Sequence, residues 1–218
     1  MELFCTNVSI AFENLHLNQE LFDAQLEMIC VLAGAAETRS KETANHVKRV
    51  GLLAEYLAME YGADDKFAEA LRFAAPLHDI GKIGIPDAVL AKPGKHTPEE
   101  TVVMRRHAEI GFQLLTQSRR PLLQLAAQIA LDHHENWDGS GYPRGLSGDR
   151  ISIGGRITML ADVYDALGSR RCYKEPWPGE DIRIFITQQR GLKFEPRLVD
   201  ILLANWDKAE AVRKLLPD

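Results

Sequence analysis

Cysteine is scarce: Cys5, Cys30 and Cys172 are the only three in 218 residues, far apart and with no Cys-x-x-Cys pair. That spacing excludes a disulfide framework and a thiolate zinc ribbon, and it fits a reducing cytoplasm. Long apolar runs are missing too. The longest candidate, Leu122 to Leu131, is interrupted by Gln124 and Gln128 and falls short of the roughly eighteen residues of a membrane span. The N-terminus lacks the basic-then-apolar pattern of a secretory signal. Nor is there an excess of positive charge. At a formal −5 the chain is a poor partner for a long nucleic-acid backbone, although a small phosphate ligand needs only a local basic cluster. Repeats, low-complexity tracts and convincing strand patterns are also absent.

Helical periodicity runs nearly throughout. Phe22, Leu26, Ile29 and Ala33 mark one stripe of a helix over 18–36, and Val47, Val50, Leu53, Ala54 and Leu57 mark another over about 41–61, with Gly62 placed to end it. A third begins at Asp64-Asp65 and runs to His78-Asp79, with Pro76 expected to kink it just before those residues. Thr97-Pro98-Glu99-Glu100 spells a capping box and predicts a helix that carries His107. Another runs from about Leu122 to His133-His134. Residues 136–155 are rich in Gly, Pro, Ser and Asp and read as a long ordered loop, a feature that is usually functional. Helix returns over 157–167 with Asp162, and Pro196 opens a last one. The fold class is all-α, with a helical extension or linker over 1–20, a domain over 21–205 and a tail over 206–218.

Histidine and carboxylate keep recurring on these apolar segments. His78 and Asp79 are adjacent, with Lys82 three residues on. His107, His133, His134 and Asp162 follow. Burying a carboxylate costs several kcal/mol unless it is paired or bound to metal. Glu42 and His46, four apart, share one helix face. Asp79 could bridge two ions through its two oxygens. Imidazole and carboxylate ligation without thiolate suits Fe, Mn, Ni or Zn. Five of the seven histidines belong to this set, the other two being His16 and His96.

The ordered motifs His78-Asp79-Ile80-Gly81-Lys82, His133-His134-Glu135-Asn136-Trp137-Asp138-Gly139-Ser140-Gly141-Tyr142-Pro143 and Ala161-Asp162-Val163-Tyr164-Asp165-Ala166-Leu167 closely resemble the HD-GYP family of cyclic-dinucleotide phosphodiesterases, a branch of the HD metal-dependent phosphohydrolases. The likeness covers about residues 22 to 203. It implies an HD-type helical bundle and two or three divalent ions, iron first, with Mn, Ni or Zn as alternatives. The implied ligands are His46, His78, Asp79, His107, His133, His134 and Asp162, with Glu42 added where a third ion is held. It makes Lys82 the lysine on the scissile phosphate, and Tyr142, Arg171 and Lys174 substrate-binding residues. The sequence departs from the family pattern at Ala44, Cys172 and Glu195, none of which removes a ligand. The opening residues, Phe4 to Leu15, resemble the exit helix of a sensor-like domain found upstream in some response regulators of this family. A homodimer through that apolar helix follows as an expectation.

The implied reaction is hydrolysis of cyclic di-GMP to pGpG or GMP by a metal-bridging hydroxide, with His78, Asp79 and Lys82 at its centre and cyclic GMP-AMP as another possible substrate. Two alternatives stand beside it: an HD phosphohydrolase acting on a different nucleotide, and a non-catalytic module that binds cyclic dinucleotides.

Overall fold

The computed structural model describes residues 2–39, 44–169 and 175–217, leaving out the side chains of residues 2–9, 11, 22 and 44. Its helices in chain order are α1 (Glu2–Thr38), α2 (Ala44–Tyr61), α3 (Asp65–Ala74), α4 (Asp87–Leu90), α5 (Pro98–Arg105), α6 (His107–Leu115), α7 (Pro121–Asp132), α8 (Ile153–Gly168), α9 (Gly179–Gln188), α10 (Pro196–Ala204) and α11 (Trp206–Leu215). No strand forms among the described residues, and the only bridge pairs Arg190 with Phe194. The fold is all-α, as expected.

Several boundaries follow from local chemistry. Asp64 caps α3 by accepting from the Phe67 N–H, and Gly62 at φ 90° closes α2. Thr97 and Glu100 complete the capping box of α5. Pro121 and Pro196 open α7 and α10, where a missing N–H costs nothing. Buried Val47, Val50, Leu53, Ala54 and Leu57 on α2 meet Leu71 of α3, Ile157 and Leu160 of α8, and Leu198 and Leu202 of α10 in one core. Ala209 on α11 joins the same core, and the Trp206 ring stands edge-on to Tyr164 at 5.2 Å.

Four expectations are corrected, the first being that the helix opened by Pro196 is the last: α11 (Trp206–Leu215) follows it. Pro76 does not kink a continuing helix: α3 ends at Ala74 and the chain tightens into a 3-10 turn over Ala75–Leu77, leaving His78-Asp79 beyond it. The helix starting at Pro98 stops at Arg105, and His107 begins a separate helix, α6. The helices over 18–36 and upstream are one unbroken α1, on which Ile10, Phe12, Leu15, Leu17 and Leu21 are exposed on more than one side. No helix among the described residues is long and apolar enough to cross a membrane.

Candidate metal centre

The ligand-type side chains reach one place from five segments. His46 comes from α2, His78 and Asp79 from the turn after α3, His107 from the start of α6, His133 and His134 from the end of α7, and Asp162 from the middle of α8. Three sets of atoms lie close enough to hold an ion: Asp79, His107, His133 and His134; His46, His78 and Asp162; and Glu37, His78 and Asp79. Asp79 faces the His107 side and the His78 side with different oxygens. Its Oδ1 lies 3.1 Å from His107 Nε2 and 3.6 Å from His133 Nε2, and its Oδ2 lies 3.3 Å from His78 Nε2. Asp162 Oδ1 is 3.4 Å from His46 Nε2 and 3.9 Å from His78 Nε2.

The tautomers follow from the partners on the far side of each ring. His78, His107 and His133 place Nδ1 at 2.8, 2.8 and 3.0 Å from the carbonyl oxygens of Ala75, Met104 and Ala130, each three residues upstream. A carbonyl only accepts, so Nδ1 carries the hydrogen and Nε2 turns inward. For His46 the outer partner is Asp165, whose Oδ2 accepts from Nδ1 at 2.8 Å. Asp165 is itself held by Arg49 Nε at 2.8 Å and by Ser169. This is the outer-shell arrangement that fixes metal-bound imidazoles.

The inward atoms fit a cation. With both Nδ1 atoms protonated, His107 Nε2 and His133 Nε2 face each other 3.3 Å apart, lone pair toward lone pair. Buried His78 Nε2 and Asp79 Oδ1 have no hydrogen bond of good geometry. A divalent ion answers each of these atoms, and the all-N/O donor set matches Fe, Mn, Ni or Zn chemistry.

Electrostatics point the same way. Burial alone would lower the His78 pKa, but the Asp79 carboxylate outweighs it and raises the value to about 9. Burial would raise the Asp79 carboxyl, yet Lys82 and His78 hold it well below its ordinary range. Asp162 is likewise depressed, its burial overcome by His46 and His78. Burial, helped by neighbouring imidazoles, pushes His133 and His134 down, so both stand neutral and ready as ligands at pH 7.

The Gly-Tyr-Pro loop folds directly over this cluster. Its order comes from two buried carboxylates flanking the histidine doublet. Glu135 accepts from the N–H groups of Arg144 at 2.7 Å and Leu146 at 2.9 Å, while Asp132 accepts from Ser152 N–H and pairs with Arg144. A Cβ on Gly141 would stand 2.2 Å from Asn136 N, so only glycine lets the loop lie this close to the backbone after His134. Tyr142 then stacks on the His134 ring at 4.7 Å, and the Arg105 guanidinium lies over the Tyr142 ring, 4.8 Å from its centre. Lys82 Nζ lies 2.6 Å from Asp79 Oδ2 and 3.1 Å from Glu37 Oε2.

The structure therefore gathers His46, His78, Asp79, Lys82, His107, His133, His134, Tyr142 and Asp162. Glu42, Arg171 and Lys174 lie outside the described residues. Sequence reasoning missed Glu37, Asp165, Arg49, Glu135 and Lys193. The last is a half-buried lysine whose pKa burial lowers and Asp162 raises. Its backbone accepts from Trp137 N–H in the loop. Asp165 had a signal, since it is three residues after Asp162 on one helix face.

An HD domain family model matches residues 30–198. The 3'3'-cGAMP-specific phosphodiesterase 2 of Vibrio cholerae is 48% identical over 218 residues, all of this chain and 42% of that protein. A cyclic di-GMP phosphodiesterase of Thermotoga maritima is 48% identical over 184 residues, 84% of this chain and 50% of that one. The chain thus spans half or less of the length of these relatives. Among solved structures, Bd1817, an HDG"Y"P protein from Bdellovibrio bacteriovorus, superposes with a TM-score of 0.60 at 21% identity, over 85% of this chain and 62% of that one, a likeness of fold. With its helical fold and its His-Asp centre beside the Gly-Tyr-Pro loop, the chain belongs to the HD domain family, in its HD-GYP branch.

Proposed function

We propose that this domain is a metal-dependent phosphodiesterase that hydrolyses cyclic di-GMP, opening one phosphodiester to give linear pGpG and cleaving the second to give GMP. The observation that carries the reading is the convergence of His107 Nε2 and His133 Nε2 at 3.3 Å around Asp79, with Lys82 Nζ 2.6 Å from the same carboxylate. Two or three divalent ions, iron first, would be held by His46, His78, Asp79, His107, His133, His134 and Asp162, with Glu42 as a ligand of a third. When bound, such ions lower the pKa of water and offset charge on phosphate oxygens.

The residues supply the rest. Lys82 brings a fixed positive charge to the edge of the centre, where it binds a phosphate oxygen and stabilises the charge that grows there in the transition state. Tyr142, held by His134 and Arg105, walls the entrance, where its ring edge can border a guanine. Arg171 and Lys174 bind the second phosphate, a role that rests on their motif position. The exposed apolar residues of α1 support pairing with a second copy of the chain.

A second substrate has its own support, because a relative that matches the whole chain is named for 3'3'-cGAMP. Anaerobic metal analysis coupled to product assay on both cyclic dinucleotides, with Asp79→Ala alongside, tests these readings. Turnover of one or both by metal-loaded protein, lost in Asp79→Ala, is expected. Full metal loading without hydrolysis of either would leave a binding module or a phosphohydrolase of another nucleotide instead.

A further inference from the structure

We propose that Glu37, in the last turn of α1, is a positioning residue that aims Lys82, and that Arg39 fixes the backbone from which Lys82 springs. The inference rests on the reading of Lys82 as the phosphate-binding group.

Two contacts made by one helix end carry it. Glu37 is buried, and its Oε2 lies 3.1 Å from Lys82 Nζ. Two residues on, the Arg39 guanidinium forks over the same segment. Its Nη1 donates to the carbonyls of Lys82 at 3.0 Å and Ile83 at 2.7 Å. Its Nη2 donates to Ile85 at 3.1 Å and to the Asp87 carboxylate at 2.6 Å. Side chain and backbone of Lys82 are thus gripped from the end of α1, whose Glu37 also stands within ligand distance of His78 and Asp79.

Charge explains why a lysine here needs such a partner. A free lysine side chain keeps about 2 kcal/mol of rotamer entropy, and Lys82 is held between two carboxylates instead. One of them, Asp79, faces the metal ligands with its other oxygen. Once cations draw on that carboxylate, the ammonium faces like charge, which the Glu37 carboxylate offsets. A charge-assisted hydrogen bond of this kind also sets direction.

The test uses the full chain, metal-loaded, as wild type, Glu37→Gln, Lys82→Met and the double variant. Ions per chain, thermal melting, kcat and KM on cyclic di-GMP and 3'3'-cGAMP are measured for each. Glu37→Gln is expected to lower kcat about tenfold, with KM changed less than about threefold. Its ion count should be unchanged. In the Lys82→Met background the same substitution should cost less than about twofold, because the residue acts through Lys82.

Wild-type kcat in Glu37→Gln, or losses that multiply in the double variant, would overturn the proposal. So would loss of an ion, which would make Glu37 a ligand; its carboxylate does lie near His78 and Asp79. If Glu37→Gln melts early, Arg39→Lys is measured by the same cycle and must show a kcat loss that disappears without Lys82. Wild-type activity in Lys82→Met would instead refute the phosphate-binding role itself.

Discussion

Metal loading is expected to expel a proton from His78, and the size of the effect follows from its surroundings. In the metal-free protein the imidazole is fully buried beside Asp79, which raises its pKa to about 9. At pH 7 it is therefore protonated, and Nε2, the proposed ligand atom, carries the hydrogen. Removing that proton two units below its pKa costs about 3 kcal/mol, or roughly a hundredfold in affinity. His133 and His134, pushed below the ordinary histidine value, release nothing. Titration calorimetry with Mn(II) or Zn(II) in two buffers of different ionisation enthalpy counts the protons released. At least one per chain is expected at pH 7, with apparent affinity at the His78 site rising about tenfold per unit toward pH 9 and then levelling. The same proton stabilises the metal-free fold. Because the folded pKa lies above the unfolded value of 6.5, the stabilisation is complete below pH 6.5 and disappears as pH rises through 9. Melting of the metal-free chain should fall across that window. Affinity that stays flat from pH 7 to 9, with no proton released, would refute the reasoning.

Other perturbations have sharp expectations. Asp165→Asn strips Arg49 of a buried counter-ion and His46 of its anionic partner. It should cost about 3–5 kcal/mol in urea unfolding and roughly 10–100-fold in metal affinity at the His46 site. In Gly81→Ala the new methyl would lie 1.9 Å from the His107 carbonyl and 2.5 Å from Gly111 N, both backbone atoms. The turn bearing Asp79 must then separate from α6, so lower melting and fewer ions per chain are expected from calorimetry and elemental analysis. Tyr142→Ala removes the aromatic wall over His134 and should raise KM about tenfold at constant metal content, as steady-state kinetics would show.

Much of the centre was legible in the sequence because its ligands sit in short, dense phrases. His78-Asp79 and His133-His134 each end an apolar run, a place where solvated residues seldom belong. Helix starts were legible for the same local reason: the Thr97 box, the Asp64 cap and the prolines at 121 and 196 act within one turn. What escaped depends on contacts across the fold. Nothing in the Arg105-Arg106-His107 run marks the break that turns His107 inward. Glu37 lies 45 residues before Lys82, and Arg49 lies 116 before Asp165. Such pairs have no signature in spacing. The burial of Glu135 is hidden as well, since its partners are backbone N–H groups that any loop possesses.

The inward histidines are not equally robust. His78, His107 and His133 each anchor Nδ1 on the carbonyl three residues upstream. That acceptor belongs to the main chain and survives any side-chain substitution, so no single replacement elsewhere can flip these tautomers. His46 instead relies on Asp165, and Asp165 on Arg49. Mutational tolerance is therefore lopsided. The half of the centre around His107 and His133 can drift in its surroundings and keep its donors aimed. The half around His46 can be silenced from one outlying position, so Asp165 is where one of the proposed ion sites could be given up while the other is kept.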